Sequence, residues 1–321
     1  MGEAKPSPPS PLPQGEGRWI HPHPSPTGRG KNLKEQEVIH MQTITTLQDL
    51  RQARQNLPEP LGLVPTMGYL HEGHLSLVRV ARRECASVVV SIFVNPTQFG
   101  PQEDLERYPR DLPRDLTLLE AEGVDVVWTP TPQIMYPEGY QTWVTVEQIA
   151  APLEGAMRPG HFRGVATVVA KLFNAVQPQR AYFGQKDAQQ ALVIRRLVAD
   201  LNFPIQVVVC PTVREADGLA MSSRNVYLNP QERQAATVLY RALTAAQAAY
   251  EAGQRNADHL RQVMQAVLNG EPLARAQYVS CARLEDLQEW QGEVSGAALL
   301  SLAVFIGQTR LIDNLVIGGE F

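Results

Sequence analysis

Cysteine is scarce in this chain of 321 residues: Cys85, Cys210 and Cys281 lie far apart, odd in number and without a CxxC pair. That pattern excludes a disulfide framework and a cysteine zinc site, and a reduced, cytoplasmic setting is expected. Charged residues make up only 19%, with a formal net charge of −4, and no basic run occurs. Nucleic acid is therefore not an expected partner. Long hydrophobic runs are also missing. The most apolar stretch, Ala297 to Ile306, is about half the roughly 20 residues a membrane span requires, and Ser301 interrupts it. It reads as a buried strand, and no membrane association is expected. The chain does not open on a basic segment followed by an apolar one, so no secretory signal is expected. Acidic residues and the lack of an amphipathic pattern in the first forty residues argue against a transit peptide.

Several catalytic signatures are absent as well. No GxGxxG occurs, which removes support for dinucleotide-linked redox chemistry. Gly155 and Gly160 have Walker A spacing, but His161-Phe162 stand where Lys and Ser/Thr are required, so a P-loop is rejected. His71-Glu-Gly-His74 lacks HExxH spacing, which excludes a zincin. There is no nucleophile elbow and no cysteine placed beside a histidine. Covalent catalysis is not indicated.

Proline is plentiful but uneven, with eight of the 25 in the first forty residues. That segment has too few apolar residues to bury and too many prolines for helix or central strand. Residues 1–40 are expected to form a disordered extension, with Met41 opening the functional polypeptide. The remaining 281 residues suffice for a substantial core. They alternate short apolar runs with helical patterns, as a parallel sheet with crossover helices does. Strands are expected at Leu61 to Pro65, Ser87 to Val94, Val124 to Thr129, Arg180 to Phe183 and Ile205 to Cys210. Helices are expected at Gly73 to Glu84, Pro113 to Glu122, Val165 to Val176 and Ala188 to Asp200. Ligands of such a sheet sit beyond the carboxyl ends of its strands.

The character changes near Ser222. Asn229-Pro230 caps an alanine-rich helix running to about Glu251. A helix from Asp258 to Leu268 and strands at Gln277 to Arg283, Ala298 to Ile306 and Leu311 to Ile317 follow. The fold class is α/β: a Rossmann-like parallel-sheet domain at 41–215, then a smaller C-terminal α+β domain at 216–321.

Polar clusters follow the expected strands. Pro65 and Gly68 bend the chain after the first, and Gly73 permits close backbone approach where a helix starts. The free N–H groups of that helix start suit phosphate oxygens, and His71 and His74 share one face of its first turn. A metal pair, or capping and packing roles, are the alternatives for these histidines. Lys186-Asp187, after the strand ending at Phe183, suits a phosphate with its Mg²⁺ or a ribose hydroxyl, the alternative being a solvated ion pair. Met221-Ser-Ser-Arg224 offers two hydroxyls and a guanidinium that can close over phosphates. Asn95-Pro-Thr-Gln98 ends the second strand at the ligand edge, and Arg158-Pro-Gly-His161 opens a helix.

In this order, VPTMGYLHEGHLSLV, SIFVNPTQFGPQEDLERYPR, LEGAMRPGHFRGV, YFGQKDAQQALVIRRLV and DGLAMSSRN closely resemble the pantothenate synthetase (pantoate–beta-alanine ligase) family of the nucleotidylyltransferase superfamily. The resemblance runs from Met41 to the end. It implies a ligase, acting in pantothenate biosynthesis, that adenylates pantoate with ATP and Mg²⁺, then passes the pantoyl group to beta-alanine. It further implies ATP binding by Met67, Gly68, Tyr69, Leu70, His71, Glu72, Gly73 and His74, with His74 as catalytic proton donor to the departing pyrophosphate. Gly184, Gln185, Lys186, Asp187, Val213, Met221, Ser222, Ser223 and Arg224 complete the ATP site by resemblance. Gln98 and Gln190 would bind pantoate, Gln98 also lying near beta-alanine, with Arg158 and His161 near the anionic groups. No resident metal site is implied, and a homodimer is expected. The family often has glutamate where Gln185 stands, and residues 1–40 have no counterpart in it. A different nucleotidylyltransferase and a catalytically silent ATP-binding module are the alternatives. Gln98 and Gln190, suited to a small hydroxy acid, argue against the first, and the retention of His71, His74 and Lys186 against the second.

Overall fold

The computed structural model describes residues 41–101 and 103–321. The proline-rich extension expected at 1–40 lies outside the described residues. The elements in chain order are β1 (Gln42–Ile44), α1 (Leu47–Asn56), β2 (Leu61–Thr66), α2 (Glu72–Glu84), β3 (Ser87–Ile92), α3 (Leu112–Ala121) and β4 (Val126–Trp128). The short helices α4 (Pro132–Met135) and α5 (Glu154–Met157) precede α6 (His161–Val176), β5 (Arg180–Gly184), α7 (Ala188–Asp200) and β6 (Gln206–Cys210). Then come α8 (Pro230–Ala235), α9 (Val238–Glu251), α10 (Ala257–Asn269), β7 (Ala274–Arg283), β8 (Ala298–Ile306) and β9 (Thr309–Ile317).

Strands β1 to β6 form one parallel sheet in the order β1-β4-β3-β2-β5-β6. The central strands are apolar on both faces, Leu61, Leu63, Val64, Val88, Val89 and Val90 being fully buried. One hydrophobic cluster gathers α1, α6 and α7 over the sheet, and another gathers α2 and α3. This is the α/β, Rossmann-like architecture expected from the alternating runs. The strand order reverses between β2 and β5, so the chain leaves these two neighbours on opposite sides. Their carboxyl ends open the crevice in which doubly wound sheets hold ligands.

The small antiparallel sheet β7-β8-β9 carries its own core with α8, α9 and α10. Ala298 to Ile306 is its central strand, buried along most of its length as expected. No helix among the described residues is long and apolar enough to cross a membrane.

Some elements differ from expectation. β1 and α1 were not anticipated, because β1 spans three residues and α1 buries only Leu50. The helix expected from Val165 begins at His161, where Gly160 in the left-handed region (φ 85°) lets the chain turn in and both His161 and Phe162 are buried. The helix expected from Pro230 to Glu251 is interrupted at Ala236-Thr237. There the bonds Thr237 N to Gln234 O and Leu239 N to Ala236 O tighten the coil to i→i+3 spacing.

Candidate active site

Beyond Thr66 the chain reverses through Gly68 (φ 85°) and Tyr69 (φ 51°), both left-handed. Tyrosine resists that conformation, so something must hold it. The Asp115 carboxylate of α3 does so, accepting from Tyr69 N at 2.7 Å and Leu70 N at 2.8 Å while only 1% exposed. In sequence Asp115 looks like one more charge on an amphipathic helix, and its anchoring role shows only in its depth.

The turn delivers His71 to the N-cap of α2. His71 Nδ1 accepts from Gly73 N at 3.2 Å, and His74 Nδ1 accepts from His71 N at 3.3 Å, a reciprocal cap that leaves the ring centroids 4.1 Å apart. A ring nitrogen that accepts carries no proton, so each neutral imidazole bears its proton on Nε2. Burial, aided by the charge on Lys186, pushes His71 down to about 4. Burial, His71 and Lys186 push His74 well below the usual histidine range. Near neutral pH both rings are uncharged N–H donors. A Cβ at Gly73 would sit 2.9 Å from the His71 ring, so a side chain there would break the cap. The capping alternative for these histidines is thus realised, and both also line the cavity.

Gln98 lies on a short 3₁₀ turn after β3 whose frame is Asn95. Asn95 Oδ1 accepts from the Thr97 and Tyr136 hydroxyls at 3.0 and 2.9 Å, and its Nδ2 donates to Gln98 Oε1 and Gly164 O, both at 3.2 Å. The Gln98 carbonyl is 2.8 Å from His161 Nδ1. A carbonyl only accepts, so His161 carries its proton on Nδ1, the opposite tautomer to His71 and His74, and its Nε2 accepts from Arg158 Nη1 at 3.2 Å. Burial and the neighbouring Arg158 hold His161 down at about 4. Arg158 is in turn clamped by Glu103 at 2.8 and 2.5 Å.

Lys186 and Asp187 follow β5 on a 3₁₀ turn that opens α7, with Lys186 Nζ 3.8 Å from Asp187 Oδ1. Two successive glutamines then face different ways. Gln189 is buried and bonds Ile149 O, Pro152 O and Glu154 N, whereas Gln190 lines the cavity. Ser223 Oγ donates to Tyr69 O at 3.2 Å, tying the 221–224 loop to the turn before α2. Arg224 meets Asp104 in a bidentate pair, both bonds 2.9 Å.

A cavity of about 220 Å³ receives all five motifs: Met67, Gly73 and the histidines, Gln98, Arg158 and His161, Gly184 with Lys186, Asp187 and Gln190, then Val213 and Met221 to Arg224. Other expected residues do not face it. Leu70 belongs to the core, Glu72 pairs with Arg79 along α2, and the Tyr69 ring lies 5.6 Å from the Arg114 guanidinium. The Gln185 amide reaches toward Asn314 at 3.5 Å. Gly68, Tyr69 and Leu70 serve the site through the backbone turn. Asn95 was placed at the ligand edge from the sequence, but Tyr108, Glu103, Asp104 and Asp115 were not anticipated, since each shows its purpose only beside a partner distant in sequence. Among the described residues no group of three or more His, Cys, Asp or Glu is arranged to hold a metal ion.

Residues 40–316 match the model of the Pantoate-beta-alanine ligase family. Pantothenate synthetase of Roseiflexus sp. is 67% identical over 277 residues, covering 86% of this chain and 99% of that protein. The structure of pantothenate synthetase from Thermus thermophilus superposes with a TM-score of 0.82 at 53% identity, covering 86% of this chain and 99% of that one. Pantoate-beta-alanine ligase from Francisella tularensis, solved with beta-gamma ATP and beta-alanine, superposes with a TM-score of 0.72 at 35% identity over 86% of this chain and 97% of that one. The chain belongs to the pantoate–beta-alanine ligase family.

Proposed function

We propose that this cleft condenses pantoate with beta-alanine at the expense of MgATP, through a pantoyl adenylate. The observation that carries the reading is the convergence of five segments, from residue 67 to residue 224, on one cavity at the reversal point of the sheet. A carboxylate oxygen of pantoate attacks the α-phosphorus, and the bond to the bridging oxygen breaks as pyrophosphate leaves with the electron pair. The beta-alanine amine then attacks the acyl carbon, AMP departs and the nitrogen loses a proton. Neither step needs an enzyme nucleophile. Both need charge neutralisation and alignment, which the α2 N-terminus, Lys186 and Arg224 supply.

The capping geometry favours a role for His74 other than proton donor. A neutral imidazole that keeps its Nε2 proton is a hydrogen-bond donor and a poor acid, so His74 and His71 stabilise negative phosphate oxygens without giving up a proton. Gln98 and Gln190 present their amides to the hydroxyl and carboxylate oxygens of pantoate. Arg158 and His161 line the cavity near the anions and also hold the Gln98 carbonyl. Mg²⁺ would enter with the nucleotide as part of the substrate, and Asp187 is the carboxylate that would meet it, the ion supplying charge neutralisation on the phosphates.

The separate hydrophobic core of β7–β9 supports a division near residue 215, with the C-terminal part acting as a lid over ATP. A homodimer in the cytoplasm completes the reading, and sedimentation velocity tests the dimer. Protein supplied with ATP, pantoate and beta-alanine should release AMP and pyrophosphate. Without beta-alanine it should release one pyrophosphate per site and no AMP. Steady AMP formation without beta-alanine, or a far better acceptor than pantoate, would overturn the assignment.

A further inference from the structure

The turn bearing Lys186 is gripped from the small sheet. The Nδ2 of Asn314, on β9, donates to two successive carbonyls, Gln185 O at 3.0 Å and Lys186 O at 2.9 Å. Asn314 is 3% exposed, so these bonds are shielded from water, and a side-chain amide nitrogen has two protons, enough for both. The preceding residue, Asp313, is 2% exposed and holds Arg214 in a bidentate pair at 2.6 and 2.9 Å. Arg214 follows Val213, whose carbonyl accepts from Met221 N at 3.0 Å, and its Nη1 also donates to Gly218 O at 3.1 Å. One dipeptide of β9 therefore fixes both the turn with Lys186 and the start of the segment that leads to Met221 and Arg224.

We propose that Asn314 is a positioning residue for Lys186, which sets the ammonium against the ATP phosphates by pinning its backbone. Exchanging the amide for a carboxylate of the same shape removes both donors and leaves two buried carbonyls facing a lone pair. The turn then loosens, and Lys186 loses its fixed approach. The inference rests on the reading of Lys186 as a phosphate ligand. Its consequence falls first on the ATP side, because among the described residues no hydrogen bond joins Gln98 or Asn95 to β9, and only Gln190, three residues beyond Asp187 on α7, connects the loosened turn to the pantoate side.

The test is a double-mutant cycle on the single-turnover rate of pyrophosphate release. Asn314→Asp should slow that release about 10- to 100-fold and raise the KM for ATP more than the KM for pantoate. In a Lys186→Ala background the same substitution should cost less than about 2-fold. Asn314→Ser, smaller and neutral, should fall between Asn314→Asp and the parent, and it serves as the cycle's variant if the carboxylate impairs folding. Equal effects in the two backgrounds, or an unchanged ATP KM, would overturn the positioning role. A Lys186→Ala enzyme with normal pyrophosphate release would instead overturn the reading of Lys186.

Discussion

A residue's role here is set by what its polar atoms touch. His74 commits Nδ1 to the cap of α2 and keeps Nε2–H for the cavity. His74→Ala should lower turnover by roughly 10²- to 10⁴-fold with the fold retained. His74→Gln, which keeps a donor, should recover part of that loss, and if it falls as far as alanine the donor role fails. Acid should act on the same chemistry. Because His71 sits at about 4 in the free enzyme, the acid limb of kcat/KM should show no inflection from it near 6.5 and should fall only as pH approaches 4. His161 makes the matching statement about stability. Its folded value of about 4 lies below the ordinary 6.5, so the unfolded chain takes up the proton first as pH drops. The stabilisation is complete above 6.5 and is lost as pH falls toward 4, on the order of 3 kcal/mol. Denaturant unfolding across that range should show the slope, and His161→Asn should reduce it, the depressed His71 and His74 keeping the remainder.

Elements meet closely where the site demands it. α6 approaches the 96–98 turn so tightly that a Cβ on Gly164 would collide with Thr97 O and lie 2.8 Å from Gln98 N. Gly164→Ala should therefore push the turn off its seat, destabilise the protein by about 1–3 kcal/mol and raise the KM for pantoate more than that for ATP. A variant of normal stability with an unchanged pantoate KM would show the contact to be slack. The same packing explains the early start of α6. Periodicity marks the apolar face from Val165, whereas His161 joins the helix because its ring is needed under Gln98.

Across the whole molecule, the two sheets are joined by polar contacts that cross long sequence separations. Arg310 of β9 pairs with buried Glu154 at 2.6 and 2.8 Å, and Tyr278 donates to the same carboxylate at 3.1 Å. Family similarity begins at residue 40, so a polypeptide starting at Met41 should keep full activity and thermal stability, and a loss of either would make residues 1–40 part of the enzyme. The order of apolar runs, the glycine-marked turns and the five motifs were legible in the sequence because each depends on neighbours within a few residues. They determined the α/β class and placed Lys186, both histidines and Gln98 beyond strand ends, while Gln190 came from the family resemblance alone. Protonation, partnership and direction were not legible. Which nitrogen of His71 accepts, why Glu103 clamps Arg158, and that Asp115, Glu103 and Asn314 serve the site were decided by tertiary structure alone. The His71 tautomer follows from a cap only two residues long, which a sequence cannot orient, whereas the Asp115, Glu103 and Asn314 contacts join residues about 45 to 130 positions apart that no local pattern pairs.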